Sequence, residues 1–197
     1  MRFAPSLGSA LLLAASSSAF AGGLGVITTG GMHTAKAYYY DEKLDQGVDQ
    51  QTRPNGGVGI EALLGAKDDR IQGVMRMYVL SDAPTTAPDI GDLDPATVQY
   101  PDEASKGWGE KGVATMGVQW TVWGDPTAFQ LKVDSLIGAA FATPDSLEFL
   151  MVDVGPGVTY MVGDRVQLTG TLSGTVRHRK GFSYGGNLYA GVRFMFD

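Results

Sequence analysis

The stretch Asn187-Leu-Tyr-Ala-Gly-Val-Arg-Phe-Met-Phe196 alternates strictly. Leu188, Ala190, Val192, Phe194 and Phe196 fall on one face of a strand, and Tyr189, Gly191, Arg193 and Met195 on the other. The first face is wholly apolar. The second carries an arginine in mid-strand, and a guanidinium needs a polar surrounding. A barrel wall with lipid outside and a hydrated lumen inside supplies both environments to one strand.

The N-terminus is consistent with export. Arg2 gives a basic start, Ala10 to Ala15 a short apolar core, and Ala19-Phe20-Ala21 a small-x-small cleavage site. The apolar run is too short to span a bilayer as a helix. Residues 1–21 therefore read as a cleaved signal peptide and 22–197 as one mature domain. The chain contains no Cys, which excludes lipoprotein anchoring, disulfides and thiolate metal sites. The net charge is −6, and loss of Arg2 makes the mature domain more acidic still. That balance argues against nucleic acid or anionic lipid as a direct partner. A mean hydropathy of −0.02 does not count against a barrel, whose membrane character hides in alternation.

Eight stretches alternate at strand period: about 25–40, 57–66, 71–80, 113–123, 128–141, 149–162, 166–177 and 187–196. Each approaches or exceeds the roughly 9–11 residues that a tilted strand needs to cross a membrane. The connections fall into two sets. Lys67–Arg70, Gly124–Thr127 and Gly163–Arg165 are short and rich in turn formers. Between them lie 41–56, 81–112, 142–148 and 178–186, which are mostly longer. The expectation is an all-β fold, an eight-stranded antiparallel up-and-down transmembrane β-barrel. Its long extracellular loops would be 41–56 and 81–112, and both termini would lie in the periplasm.

Aromatic residues cluster at both strand ends. Trp120, Trp123, Phe129, Tyr160, Phe194 and Phe196 lie at the turn ends, and Tyr38, Tyr39, Tyr40, Tyr78, Phe141, Phe149 and Tyr184 at the loop ends. Such belts suit rings at two bilayer interfaces. Gly155-Pro156-Gly157 lies inside the sixth strand, and a closed barrel has no edge to hide a missing N–H, so a bulge or kink is expected there.

The inward face of these strands carries charges of both signs. The turn Lys67–Arg70 sets paired positions so that Glu61 opposes Arg76, giving an enclosed ion pair. Lys132, Asp134, Asp153, Arg177 and Arg193 make up an inward polar cluster. In an interior only wide enough for side chains, such groups read as a structural plug rather than an ion path.

The C-terminal stretch resembles the closing strand of bacterial outer-membrane β-barrels, in which a terminal Phe with apolar residues at alternate positions is the insertion signal. Phe194 and Phe196 match it, and Asp197 follows as a one-residue departure. Across 22–197 the layout is similar to the small OmpA/OmpX-type and OmpW-like barrels. The resemblance implies a non-enzymatic envelope protein in the outer membrane, contacting lipid and other envelope or cell-surface proteins through its loops.

The loop 81–112 suits that role. It is long and proline-stiffened, and Tyr100 and Trp108 offer anchors among acidic residues. Asp89-x-x-Asp92-x-Asp94 presents hard oxygen ligands but lacks the spacing of an EF-hand, so it reads as a solvated interaction segment. Some barrels of this size are lipid A-modifying enzymes that use a His with a Ser, and His178 with Ser183 is the nearest such pair. No spacing motif supports catalysis, and no Walker, GxGxxG, HExxH or CxxC pattern is present, so no cofactor is expected. A narrow pore is a further alternative. A part in a gliding-motility machinery has no motif behind it.

Overall fold

A computed structural model describes residues 21–39, 47–82, 110–143, 146–178 and 182–196. They form eight strands: β1 (Gly22–Tyr39), β2 (Gly47–Leu64), β3 (Ile71–Asp82), β4 (Glu110–Gly124), β5 (Phe129–Thr143), β6 (Ser146–Val162), β7 (Val166–His178) and β8 (Phe182–Phe196). Each strand pairs with its sequence neighbours, and β1 closes on β8 to complete an up-and-down antiparallel barrel. Gly22 faces Phe196, so both described ends lie at the rim that carries the short turns.

Alternation in the sequence becomes alternation in burial. Along β8, Leu188 is 57% exposed and Phe194 52%, whereas Tyr189 is 2% and Arg193 0%. The same holds around the wall. Ile60, Met77, Met116, Ile137, Val152 and Leu172 point outward and are exposed, while Glu61, Arg76, Gln119, Asp134, Asp153 and Ser173 point inward and are buried. Apolar residues thus cover the outside, while the inside holds polar and charged side chains together with two apolar clusters, around Leu80, Val113 and Phe149 and around Leu63, Leu136 and Met195.

The short turns explain themselves locally. Gly65 and Gly124 both take φ of 115°, a left-handed conformation that disfavours a side chain. Asp69 then accepts from the amide of Ala66 at 2.8 Å, and Asp125 from that of Thr127 at 2.8 Å, the local bonding expected of Asp in turns.

The strands are longer at the loop rim than their alternation predicts. β2 begins at Gly47, so 47–56 is strand rather than loop, and the expected loop 178–186 keeps 182–186 in β8. Likewise 146–148 belong to β6, and 81–112 loses both of its stems, to β3 and β4. Main-chain pairing does not require apolar side chains, and polar residues that alternate with nothing hid these extensions. β1 and β2 pair as far as Tyr39↔Gly47, whereas β1 follows β8 to His33↔Gly185 and β2 follows β3 to Asn55↔Asp82. The β1–β2 hairpin therefore runs past the barrel wall.

Of the bulge or kink expected at Gly155-Pro156-Gly157, no bulge forms. β6 keeps register with β5 through Asp134↔Gly155 and Val133↔Pro156, and the β6–β7 ladder lapses between Val154↔Gly174 and Gly157↔Thr171 without slipping. The wall absorbs the missing proline N–H as a local gap. Gly155 lets the strands approach, since a Cβ there would lie 1.9 Å from the Leu172 carbonyl oxygen. A bulge occurs instead in β4. Thr121 pairs with Lys132 and Trp123 with Leu131, leaving Val122 as the extra residue. Val122 and Trp123 consequently both face out, at 67% and 65% exposure.

Two members of the expected aromatic belt face the lumen. Tyr78 and Phe149 are buried, because inward positions alternate straight through them. Trp120, Trp123, Phe129, Tyr160, Phe194 and Phe196 are exposed at the turn rim, and Tyr184 at the loop rim. The side chains of Tyr38, Tyr39 and Tyr40 lie outside the described residues, as do residues 1–20 of the expected signal peptide.

Candidate functional site

The lumen is the most heavily built part of the molecule. Glu61 Oε2 accepts from Arg76 Nε at 2.6 Å, and Glu61 Oε1 accepts from Arg193 Nε. Arg76 Nη2 donates to Asp134 Oδ2 at 2.5 Å, and Gln119 Nε2 donates to Asp134 Oδ1 at 2.6 Å. Arg193 Nη1 returns to Gln119 Oε1 at 3.3 Å and also reaches Gln167 Oε1 at 2.9 Å. Glu61, Arg76, Asp134, Gln119 and Arg193 thus close a circuit across the lumen from β2, β3, β5, β4 and β8. Each ion is held by more than one partner, the condition under which buried charges are tolerated.

Gly25 makes the circuit possible. It stands in β1 between Glu61 of β2 and Arg193 of β8, paired with both. A Cβ at this position would lie 2.5 Å from the Val192 carbonyl oxygen and 2.9 Å from Arg193 Cγ.

A second layer lies toward the loop rim. The Tyr78 and Tyr189 hydroxyls are 3.2 Å apart, and Tyr189 donates to Asp153 Oδ2 at 2.9 Å. Thr175 donates to the other Asp153 oxygen at 2.5 Å, and Asn187 Nδ2 to Thr175 at 2.8 Å. The Arg76 guanidinium sits 4.8 Å from the Tyr189 ring centroid and ties the layers together.

The five residues expected to form one polar cluster are distributed over the lumen. Asp134 and Arg193 join the circuit. Lys132 donates to an amide oxygen, Gln72 Oε1, at 2.7 Å. Asp153 belongs to the tyrosine layer, and Arg177 lies 4.9 Å above the Phe149 ring. They separate because they occupy different heights along the barrel. The lumen also holds residues beyond those expected, among them Thr29, His33, Arg53, Thr115 and Thr159. His33 and Arg53 face each other across β1 and β2, both buried, and Asn55 Nδ2 lies 3.1 Å from His33 Nδ1. Arg53 falls within the expected loop 41–56, where the sequence has no alternation to show its side.

Other expected sites fare differently. Asp89, Asp92, Asp94, Tyr100 and Trp108 of the interaction loop lie outside the described residues. His178 and Ser183 diverge: His178 is exposed and packs 4.9 Å from the Phe182 ring, while the Ser183 hydroxyl donates to the Thr34 carbonyl. The closing aromatics Phe194 and Phe196 are exposed on the outer face of β8.

Fold and interior together define a small closed β-barrel with an apolar exterior and a cross-linked polar lumen. No protein-family model matches the chain, and no curated protein sequence matches it. Among solved structures the chain is similar to the crystal structure of Neisserial surface protein A (NspA), with a TM-score of 0.48 and 12% identity, covering 87% of this chain and 97% of that one.

Proposed function

We propose that this chain is a non-enzymatic barrel of the bacterial outer membrane, with both termini in the periplasm and its long loop presented outside for interaction. One observation carries the reading: the barrel is inverted relative to a soluble one. Large apolar residues on every strand are exposed outward, while arginine, lysine, glutamate and aspartate fill the interior. Water would penalise that exterior, and a hydrocarbon layer would stabilise it. The turn-rim aromatics, with Phe182 and Tyr184 at the loop rim, suit the two interfaces.

The circuit of Glu61, Arg76, Asp134, Gln119 and Arg193 favours a plug over a narrow pore, since Arg193 of β8 and Gln119 of β4 meet across the lumen. The divergence of His178 and Ser183 gives the lipid A-enzyme reading no support. Envelope fractionation, with gel mobility of boiled and unboiled samples, tests the placement. The expected result is an outer-membrane fraction whose unboiled band migrates differently. A soluble periplasmic protein with one mobility in both lanes would overturn the reading.

A further inference from the structure

The β4 bulge has an effect at the turn rim. By turning both Val122 and Trp123 outward it opens a cleft of about 620 Å³, whose lining includes Arg70, Thr121, Val122, Trp123, Asp125 and Phe129. Arg70 is anchored there, its carbonyl accepting from the Thr121 amide at 2.8 Å. Asp125 begins the turn into β5, with its amide donating to the Phe129 carbonyl at 2.8 Å. The Trp123 and Phe129 rings of the same lining pack edge to face, centroids 6.4 Å apart.

The Asp125 carboxyl is held below the usual carboxylate range by the Thr127 hydroxyl and then by the Thr127 amide. Both bonds fall on Oδ1, which leaves Oδ2 to another donor. The cleft therefore presents a cation, an aromatic pair and an anion, at the edge of an apolar wall that continues into exposed Val122 and Leu131.

We infer that this cleft holds the headgroup of an amine-bearing phospholipid, with its phosphate on Arg70 and its ammonium on Asp125 and the Trp123 ring. The inference rests on the membrane reading above. Arginine binds phosphate through charge-assisted bonds, and tryptophan is the best aromatic partner for a cation. A purely anionic lipid would satisfy Arg70 and meet Asp125 as a like charge. A headgroup carrying both charges matches both residues, while its acyl chains follow Val122 and Leu131. Lipid, rather than a soluble aminophosphate, is the occupant that uses the apolar continuation.

The chain has three Trp residues, so Trp108→Phe with Trp120→Phe leaves Trp123 as the single reporter. This full mature chain would be placed in nanodiscs of mixed phosphatidylethanolamine and phosphatidylglycerol, with bromine on the acyl chains of one lipid or the other, and Trp123 quenching measured. The expected result is preferential quenching by phosphatidylethanolamine, about two- to fivefold in relative affinity. Arg70→Gln and Asp125→Asn should each bring that preference toward one, with heat-modifiable mobility retained. Equal quenching by both lipids, stronger quenching by phosphatidylglycerol, or a preference that survives the double variant would overturn the inference while leaving the membrane reading standing. Protection of Trp123 by soluble phosphoethanolamine as effective as that by the lipid would overturn the choice of lipid. A chain that enters no bilayer and shows one mobility would overturn both.

Discussion

The carboxylate of Glu61 on β2 accepts a hydrogen bond from Arg193 on β8 across the intervening β1, because the residue between them is Gly25. Two strands of an ordinary wall would keep these groups apart. Here the absent side chain is the passage through which the guanidinium travels, so a residue with no chemistry of its own determines which charges pair.

Gly25→Ala should therefore destabilise the barrel by about 1–3 kcal/mol, because the new Cβ has to displace backbone and Arg193. Gly30 is the control. It faces outward, and the nearest atom to a Cβ there is the Asn55 carbonyl oxygen at 3.9 Å, so Gly30→Ala should be nearly neutral. Urea unfolding in micelles compares the two, and equal effects would count against the passage.

The Glu61–Arg76 pair is embedded in a larger circuit. Removing either partner alone should cost about 3–5 kcal/mol, and Glu61→Gln with Arg76→Met should cost less than the sum. The coupling will be smaller than for an isolated pair, because Arg193 still holds residue 61 and Gln119 and Thr171 still hold Asp134. A double-mutant cycle reads this out, and strict additivity would be the contrary result.

Lys132 and Arg193 are both buried cations with different standing. Lys132→Met removes a charge bonded to the Gln72 amide and should change stability by no more than about 1 kcal/mol in either direction. Arg193→Met takes partners from Glu61, Gln119 and Gln167 together and should cost about 3–5 kcal/mol. The same unfolding assay ranks them, and a costlier Lys132→Met would reverse the assignment.

If the task of the protein resides in its long loop, replacing Asp89–Lys106 with a short Gly/Ser linker should leave the barrel nearly as stable, since loop length carries a small entropic cost. The same variant should lose whatever phenotype or partner crosslinks deletion of the whole protein loses. His178→Ala should leave them intact. The reverse pattern would return the enzyme reading to first place.

Much of the fold was legible because a barrel wall imposes period two on every strand. The β2–β3 register was legible too: a four-residue turn at Lys67–Arg70 determines which positions face, and Glu61 does lie opposite Arg76. At the loop rim, by contrast, residues such as Gln51, Arg53 and Asn55 carry no apolar alternation, so the strand and the inward turn of Arg53 were hidden. The role of Gly25 depends on the registers of three strands at once, and no local pattern contains that. The bulge at Val122 was equally silent, since an extra apolar residue beside Trp123 reads as ordinary strand until its partners are known.

The β1–β2 hairpin, which continues past His33↔Gly185 and Asn55↔Asp82 to Tyr39↔Gly47, also marks a waterline on the molecule. Below that level each strand has a ladder partner on both sides, apart from the gap beside Pro156. Above it, among the described residues, the ladder joins the two hairpin strands to each other, while Thr34 still bonds Ser183 and Tyr184 of β8. On the membrane reading proposed above, the hydrocarbon lies against the fully laddered wall, whose level ends near His33 and Arg53.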